Sequence, residues 1–261
     1  MLVLRTLVVL VAVGSLEAAA EEPEASVGWE GSTVSLGVVA LSGNSRSVTV
    51  NGEALSDYRS KSWELHGELG VILGWAADAG EEEGDSAAEW IRGHVRGERR
   101  LGARFTAFLL LGGEVNHPAS LEGRAEAEAG LGITVLEVRD EEGEELQDLR
   151  VYLGAHVSND YRFEFFPVRT DVEDVFMLGP GVGLRWRWRP SPPVELSELL
   201  RIYPNVWGDA RVLSYSDSRL VVNLTERLAI DIHLLLEHDT RPAPGRRRLD
   251  LALTTGLLLQ L

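Results

Sequence analysis

The segment His156, Val157, Ser158, Asn159 has the residue types and spacing that suit covalent chemistry. Residues two apart on a β-strand share a face. The imidazole of His156 can therefore take the hydroxyl proton of Ser158, and a serine activated in this way attacks an acyl carbonyl. A third polar residue normally orients the histidine. The sequence offers Glu164, Asp171 and Glu173 for that role, in a segment that reads as a loop. Alternation puts Ala155 and Val157 on the apolar face of the strand and His156 and Ser158 on the polar face. No catalytic residue is assigned from this pattern; His156 and Ser158 stand as the alternative pair if the chain is an acyl hydrolase.

Other chemistry is thinner. With no cysteine, the chain has neither a thiolate metal site nor a disulfide framework. The remaining histidines, His66, His94, His117, His233 and His238, are scattered. Asp231, His233 and Glu237 share a strand face, but one such trio without a second cluster is weak support for a metal. Neither a metal nor a cofactor is expected. Gly179-Pro180-Gly181-Val182-Gly183 lacks the lysine and following helix of a phosphate loop. The net charge of −16 and a pI near 4.8 exclude a nucleic-acid partner, which requires a basic footprint.

Strands must position these residues. Met1 to Ala20 reads as a secretory signal, with Arg5, an apolar core and the Ala18-Ala19-Ala20 cleavage site. Residues 21–31 form an acidic, unstructured segment, and 32–261 a single β-barrel domain. From Val34 onward apolar residues recur with period two, as two-faced strands require. About twelve strands result. One of them, Leu199–Ser214, is interrupted by Pro204. Val194–Ile202 is the only short helical candidate. Leu228–His238, Leu249–Leu261, Leu121–Val135 and Trp63–Leu73 run to eleven residues or more, long enough to cross a bilayer, which takes roughly 9–11 tilted residues. Leu249, Leu251, Leu253, Leu257, Leu259 and Leu261 alternate to the end of the chain, a face suited to lipid. The expected fold is all-β, a transmembrane antiparallel barrel of about twelve strands. A soluble periplasmic β-barrel that binds a ligand is the competing architecture.

In a membrane barrel the polar face lines the lumen. That assigns Glu64, Glu68, Arg92, His94, Arg96, Arg104, Glu126, Glu128, Arg150, Arg185, Arg187, Asp231 and Asp250 to the interior, with Arg185, Arg187, Arg201 and Arg211 forming a basic sector. Charges in low dielectric must be paired or wet. The lumen is therefore either stitched shut or a narrow charge-selective path. Asp140–Glu145 and the proline-rich Arg189–Leu196 read as turns longer than periplasmic turns usually are.

Val34-Ser35-Leu36-Gly37-Val38-Val39-Ala40-Leu41-Ser42-Gly43-Asn44-Ser45 resembles the opening strand and turn of the bacterial family called domain of unknown function 481. Its members are also described as putative salt-induced outer membrane proteins. The resemblance continues in Leu178–Gly183, taken as a glycine-rich strand start, and in Leu224–Leu228, Glu237–Pro242 and Arg248–Asp250. It implies a barrel in the outer membrane of a Gram-negative bacterium and brings no established activity. The implied partners are outer-membrane lipid, lipopolysaccharide and the outer-membrane assembly machinery. The outer-membrane phospholipases and lipid A deacylases use a His-x-Ser-Asn arrangement similar to that at His156, which is what an acyl hydrolase reading rests on. The primary expectation is a non-enzymatic barrel, either an envelope-integrity protein or a narrow solute passage.

Overall fold

The computed structural model describes residues 28–41, 45–78, 85–164 and 170–260. The signal segment, most of the acidic stretch Glu81–Asp85 and the terminal Leu261 lie outside these residues. Twelve strands follow one another in chain order. The first four are β1 (Gly28–Leu41), β2 (Ser45–Arg59), β3 (Trp63–Asp78) and β4 (Asp85–Arg100). Next come β5 (Phe105–Asn116), β6 (Leu121–Arg139), β7 (Glu145–Glu164) and β8 (Thr170–Ser191). The last are β9 (Val194–Pro204), β10 (Val212–Asn223), β11 (Leu228–Asp239) and β12 (Leu249–Gln260). Each strand pairs antiparallel with its sequence neighbours, and β12 returns to β1 to close the barrel. The β11–β12 ladder runs from Leu228↔Leu259 to His238↔Leu249. The closing ladder is far shorter among the described residues, from Thr33↔Gln260 to Leu36↔Leu257.

Apolar side chains face outward. Leu249, Leu251, Leu253, Leu257 and Leu259 on β12 are all exposed, as are Leu109, Leu111, Leu131 and Leu153 on the strands opposite. Water would penalise such a surface, whereas hydrocarbon does not, so the barrel is a transmembrane one. A soluble ligand-binding barrel needs the reverse, an apolar interior, and the interior here is charged.

Aromatic residues mark where the bilayer ends. Trp29, Trp63, Phe105 and Trp188 ring the outside near the end where β1 begins and β12 finishes, the terminal end; Trp75, Tyr161, Phe176 and Trp207 ring the other. Twelve residue steps separate Trp63 from Trp75 on β3, and twelve separate Phe176 from Trp188 on β8. At ~3.3 Å per residue and a tilt of roughly 35–45°, either run rises about 28–32 Å, the thickness of a hydrocarbon core.

The structure corrects several sequence expectations. β1 begins at Gly28, so the barrel takes in the end of the segment read as unstructured. Val194–Ile202 is strand, not helix: its leucines pair with β8 and β10, as in Leu200↔Leu184 and Leu196↔Leu220. The stretch Leu199–Ser214 spans two strands, because Pro204 ends β9 where its missing N–H costs no ladder bond. Asp171 and Glu173 lie on β8 and Glu164 ends β7. Leu178–Gly183 is the middle of β8, not its start.

Both turns expected to be long are short. β8 runs through Ser191, leaving only Pro192 and Pro193 before β9. Residues 140–144 fold tightly because the Asp140 carboxylate accepts from the Glu142 and Glu144 N–H groups, with Gly143 at a φ of 88° that favours glycine. At the terminal end the described turns hold two to five residues, as bacterial barrels hold their periplasmic turns short.

Candidate functional site: a charge-stitched lumen

Period-two alternation delivers arginines and carboxylates to the inner face of nearly every strand, where they meet in three tiers. Near the terminal end, Arg150 on β7 reaches across to Glu64 on β3 (Nη1···Oε2 2.9 Å) while its Nε donates to Asp148 at 3.1 Å. Arg100 donates to the same Glu64 at 2.8 Å, and Arg185 approaches the fully buried Asp148 at 3.3 Å. Arg187 lies 3.9 Å from Glu145.

In the middle tier Arg92 on β4 donates to Glu68 and to Asp217, both at 2.7 Å. Asp217 sits on β10, six strands away in a ring of twelve, so this guanidinium ties opposite walls together. Asp217 also meets His233 Nε2 at 2.7 Å. Arg219 takes Asp231 through both nitrogens at 2.8 and 2.7 Å and reaches Glu53 at 2.6 Å. Arg96 lies over both rings of the edge-to-face pair Phe108 and Tyr152, 4.0 and 3.9 Å from their centroids, and donates to Glu98 at 2.7 Å. The planar guanidinium suits both contacts, which a lysine ammonium would not satisfy together.

The far tier centres on Arg124. It donates to Asp160 at 2.6 Å, Glu114 at 3.0 Å, Glu237 at 3.1 Å and the Tyr215 hydroxyl. Arg211, in the β9–β10 connection, binds Asp160 and Asp239 at 2.7 Å each. Its burial works against the charge, but the hydrogen bonds to Asp239 and the Asp160 carboxylate outweigh that and raise its pKa. Just inside, Tyr203 donates to Glu128 at 2.8 Å and Glu126 packs beside Gly112. Gly181 gives this layer room: a Cβ there would lie 2.5 Å from Glu128 Oε1 and 3.1 Å from the Tyr203 ring.

Two of the residues assigned to the lumen are placed otherwise. Arg104 is exposed in the turn 101–104, because β5 starts only at Phe105. Asp250 is on the inward register but exposed, one residue from the far end of β12. The expected basic sector does not exist as such: Arg185 and Arg211 are neutralised by Asp148, Asp160 and Asp239, and Arg201 is buried with its guanidinium 5.6 Å from the Tyr215 ring centroid. The sequence reading missed these acidic partners and Tyr215 and Asp217. Contacts across the lumen join positions more than a hundred residues apart, and the β10 period is visible only when that strand is begun at Val212.

His156 and Ser158 are buried in the lumen, at 1% and 2% exposure. The imidazole stacks on Tyr203 at 3.8 Å, and neither its nitrogens nor the Ser158 hydroxyl has a hydrogen-bond partner among the described residues. A base that activates a serine must be within about 2.6–3.2 Å of it. The two side chains are not hydrogen-bonded to each other here. Asp231, His233 and Glu237 likewise go to separate partners, Arg219, Asp217 and Arg124. His66, Glu68 and His94 do converge, their ligand atoms all within 4.8 Å of one another.

The family model described as "Protein of unknown function, DUF481" matches residues 34–260. No curated protein matches the chain. Among solved structures, an outer membrane channel from Pseudomonas putida F1 is similar at a TM-score of 0.47 and 11% identity, over 94% of this chain and all of that one. The translocator domain of the autotransporter NalP from Neisseria meningitidis is similar at 0.45 and 9%, covering 92% and 90% of the two chains. The β domain of the Bordetella autotransporter BrkA gives 0.40 and 11%, covering 90% and 99%.

Proposed function

The chain belongs to the DUF481 family, and on that footing we propose that it is a non-enzymatic barrel of the Gram-negative outer membrane, with a lumen latched shut to solutes and a role in envelope integrity. The single observation behind this reading is Arg92, held at 2.7 Å to Glu68 on one side and to Asp217 on the opposite wall. Tiers above and below repeat the device with Arg124 and Arg150. A twelve-stranded barrel is wider than the eight-stranded ones that side chains fill alone. Here long arginine side chains supply the filling, and Arg92, Arg124 and Arg150 are each neutralised in place. Export by the N-terminal signal, insertion by the outer-membrane assembly machinery and contact with lipid and lipopolysaccharide belong to the same proposal.

Planar-bilayer recording of the detergent-extracted, refolded protein tests it. The expected record is silent at the wild type, with steps appearing when Arg92 and Arg124 are both replaced by alanine. Steady, ion-selective steps from the wild type would overturn the closed lumen and make the barrel a narrow passage. Hydrolysis of a p-nitrophenyl ester that disappears in Ser158→Ala would overturn the non-enzymatic reading.

A further inference from the structure

We infer that His66, Glu68 and His94 form a binding site for one divalent transition metal of the zinc class in the lumen, on the terminal side of the middle tier. Neighbouring strands β3 and β4 present these side chains inward, with Glu68 directly opposite His94 in the register. His94 Nε2 lies 3.4 Å from Glu68 Oε2, and His66 Nε2 lies 4.0 Å from the same oxygen. Ligand atoms around a tetrahedral zinc stand about 3.3–3.4 Å apart, as bond lengths of roughly 2.0–2.2 Å dictate. Of the three pairs, His94–Glu68 is already at that spacing; His66–Glu68 at 4.0 Å and His66–His94 within 4.8 Å reach it by small side-chain rotations.

The surroundings orient these groups as ligands. Asp57 on β2 holds His66 Nδ1 at 2.8 Å, which leaves Nε2 to face Glu68. A carboxylate behind a histidine fixes its tautomer and raises its basicity toward a metal. Arg92 occupies Glu68 Oε1 at 2.7 Å, so Oε2 is the oxygen left for both imidazoles. Asp217 offsets the Arg92 charge from its other side. Two imidazole nitrogens and one carboxylate oxygen suit zinc, cobalt or nickel better than calcium or magnesium, which take oxygen alone. The side chain of His66 is 34% exposed and that of Asp57 51%, beside the turn that joins β2 to β3. The site therefore opens to the terminal mouth, and a metal there keeps a coordination position for water or a small anion. This inference does not depend on the lumen being closed.

The test is titration of tag-free, refolded wild-type barrel in detergent with Co²⁺, followed by visible absorption, and with Zn²⁺, followed by calorimetry. The expected result is one equivalent bound, with the d–d bands of a low-coordinate site. His66→Ala and His94→Ala should each weaken binding on the order of 100-fold, and Asp57→Asn by 10–100-fold, the usual effect of losing a supporting carboxylate. His117→Ala, in the β5–β6 connection where its Nδ1 lies 3.0 Å from Glu89, should bind as the wild type does. Wild-type protein that shows no cobalt bands and no heat of zinc binding overturns the site without any variant. Binding that survives both histidine replacements at unchanged affinity, in barrels that keep their folded gel mobility, overturns it as well.

Discussion

Replacing Arg92 with alanine separates a lumen that is held together by its charges from one that merely contains them. Arg92 makes two charge-assisted bonds of 2.7 Å, with side chains 13%, 9% and 17% exposed for Arg92, Glu68 and Asp217. Bonds of this kind contribute about 1.5–3 kcal/mol each. Their loss also strands two carboxylates, although His94 and His66 still face Glu68 and His233 still holds Asp217. The expected cost is about 3–5 kcal/mol, the range for breaking a buried pair from one side. Arg241→Ala is the matched control: its bond to Asp209 is as short, 2.6 Å, but the two side chains are 54% and 81% exposed. That pair should contribute roughly 0–1 kcal/mol. Urea unfolding in detergent, read by tryptophan fluorescence, measures both. Equal losses for the two variants would refute the argument that burial and span give the Arg92 latch its strength.

Three further outcomes follow from the same structure. Leu253→Arg, outward at mid-β12, should cost about 2–4 kcal/mol in lipid vesicles and Leu249→Arg at the strand end about 0–1, since the penalty for a cation grades with depth; equal values would argue against the placement of the bilayer. Gly132→Ala should destabilise by about 1–3 kcal/mol, because the new Cβ would lie 2.8 Å from the buried Tyr152 ring; an unchanged urea midpoint would contradict that packing. Ser158→Ala should leave stability within about 1 kcal/mol or raise it, as its buried hydroxyl has no partner to lose among the described residues. A drop of several kcal/mol would show the hydroxyl to be bonded.

The fold was legible because alternation in a strand is a local property. Leu249 to Leu259 and the run from Glu64 to Leu73 declare their two faces within a few residues, and inversion of those faces follows from strand length. The turn prolines misled for an equally local reason. Pro192 and Pro193 disrupt the pattern over a wider window than the two residues they occupy. The lumen was legible as a list of charges and not as a network. Nothing in sequence spacing says that Arg92 meets Asp217 or that Arg124 meets Glu237, since barrel shear and side-chain reach decide those contacts. The aromatic girdles were equally hidden, because each strand contributes only one or two of their members. The converging histidines sit 28 residues apart and share no motif.

A hoop opens at its shortest joint. Among the described residues, β1 and β12 are in register only from Thr33 to Leu36 with Leu257 to Gln260, while the β11–β12 joint extends over eleven pairs. Circumferential tension, whether from lateral pressure in the bilayer or from thermal breathing, therefore concentrates on four residue pairs. Amide exchange is expected to begin there, and a cross-link engineered from β1 to β12 should raise the unfolding barrier more than one placed across any other joint.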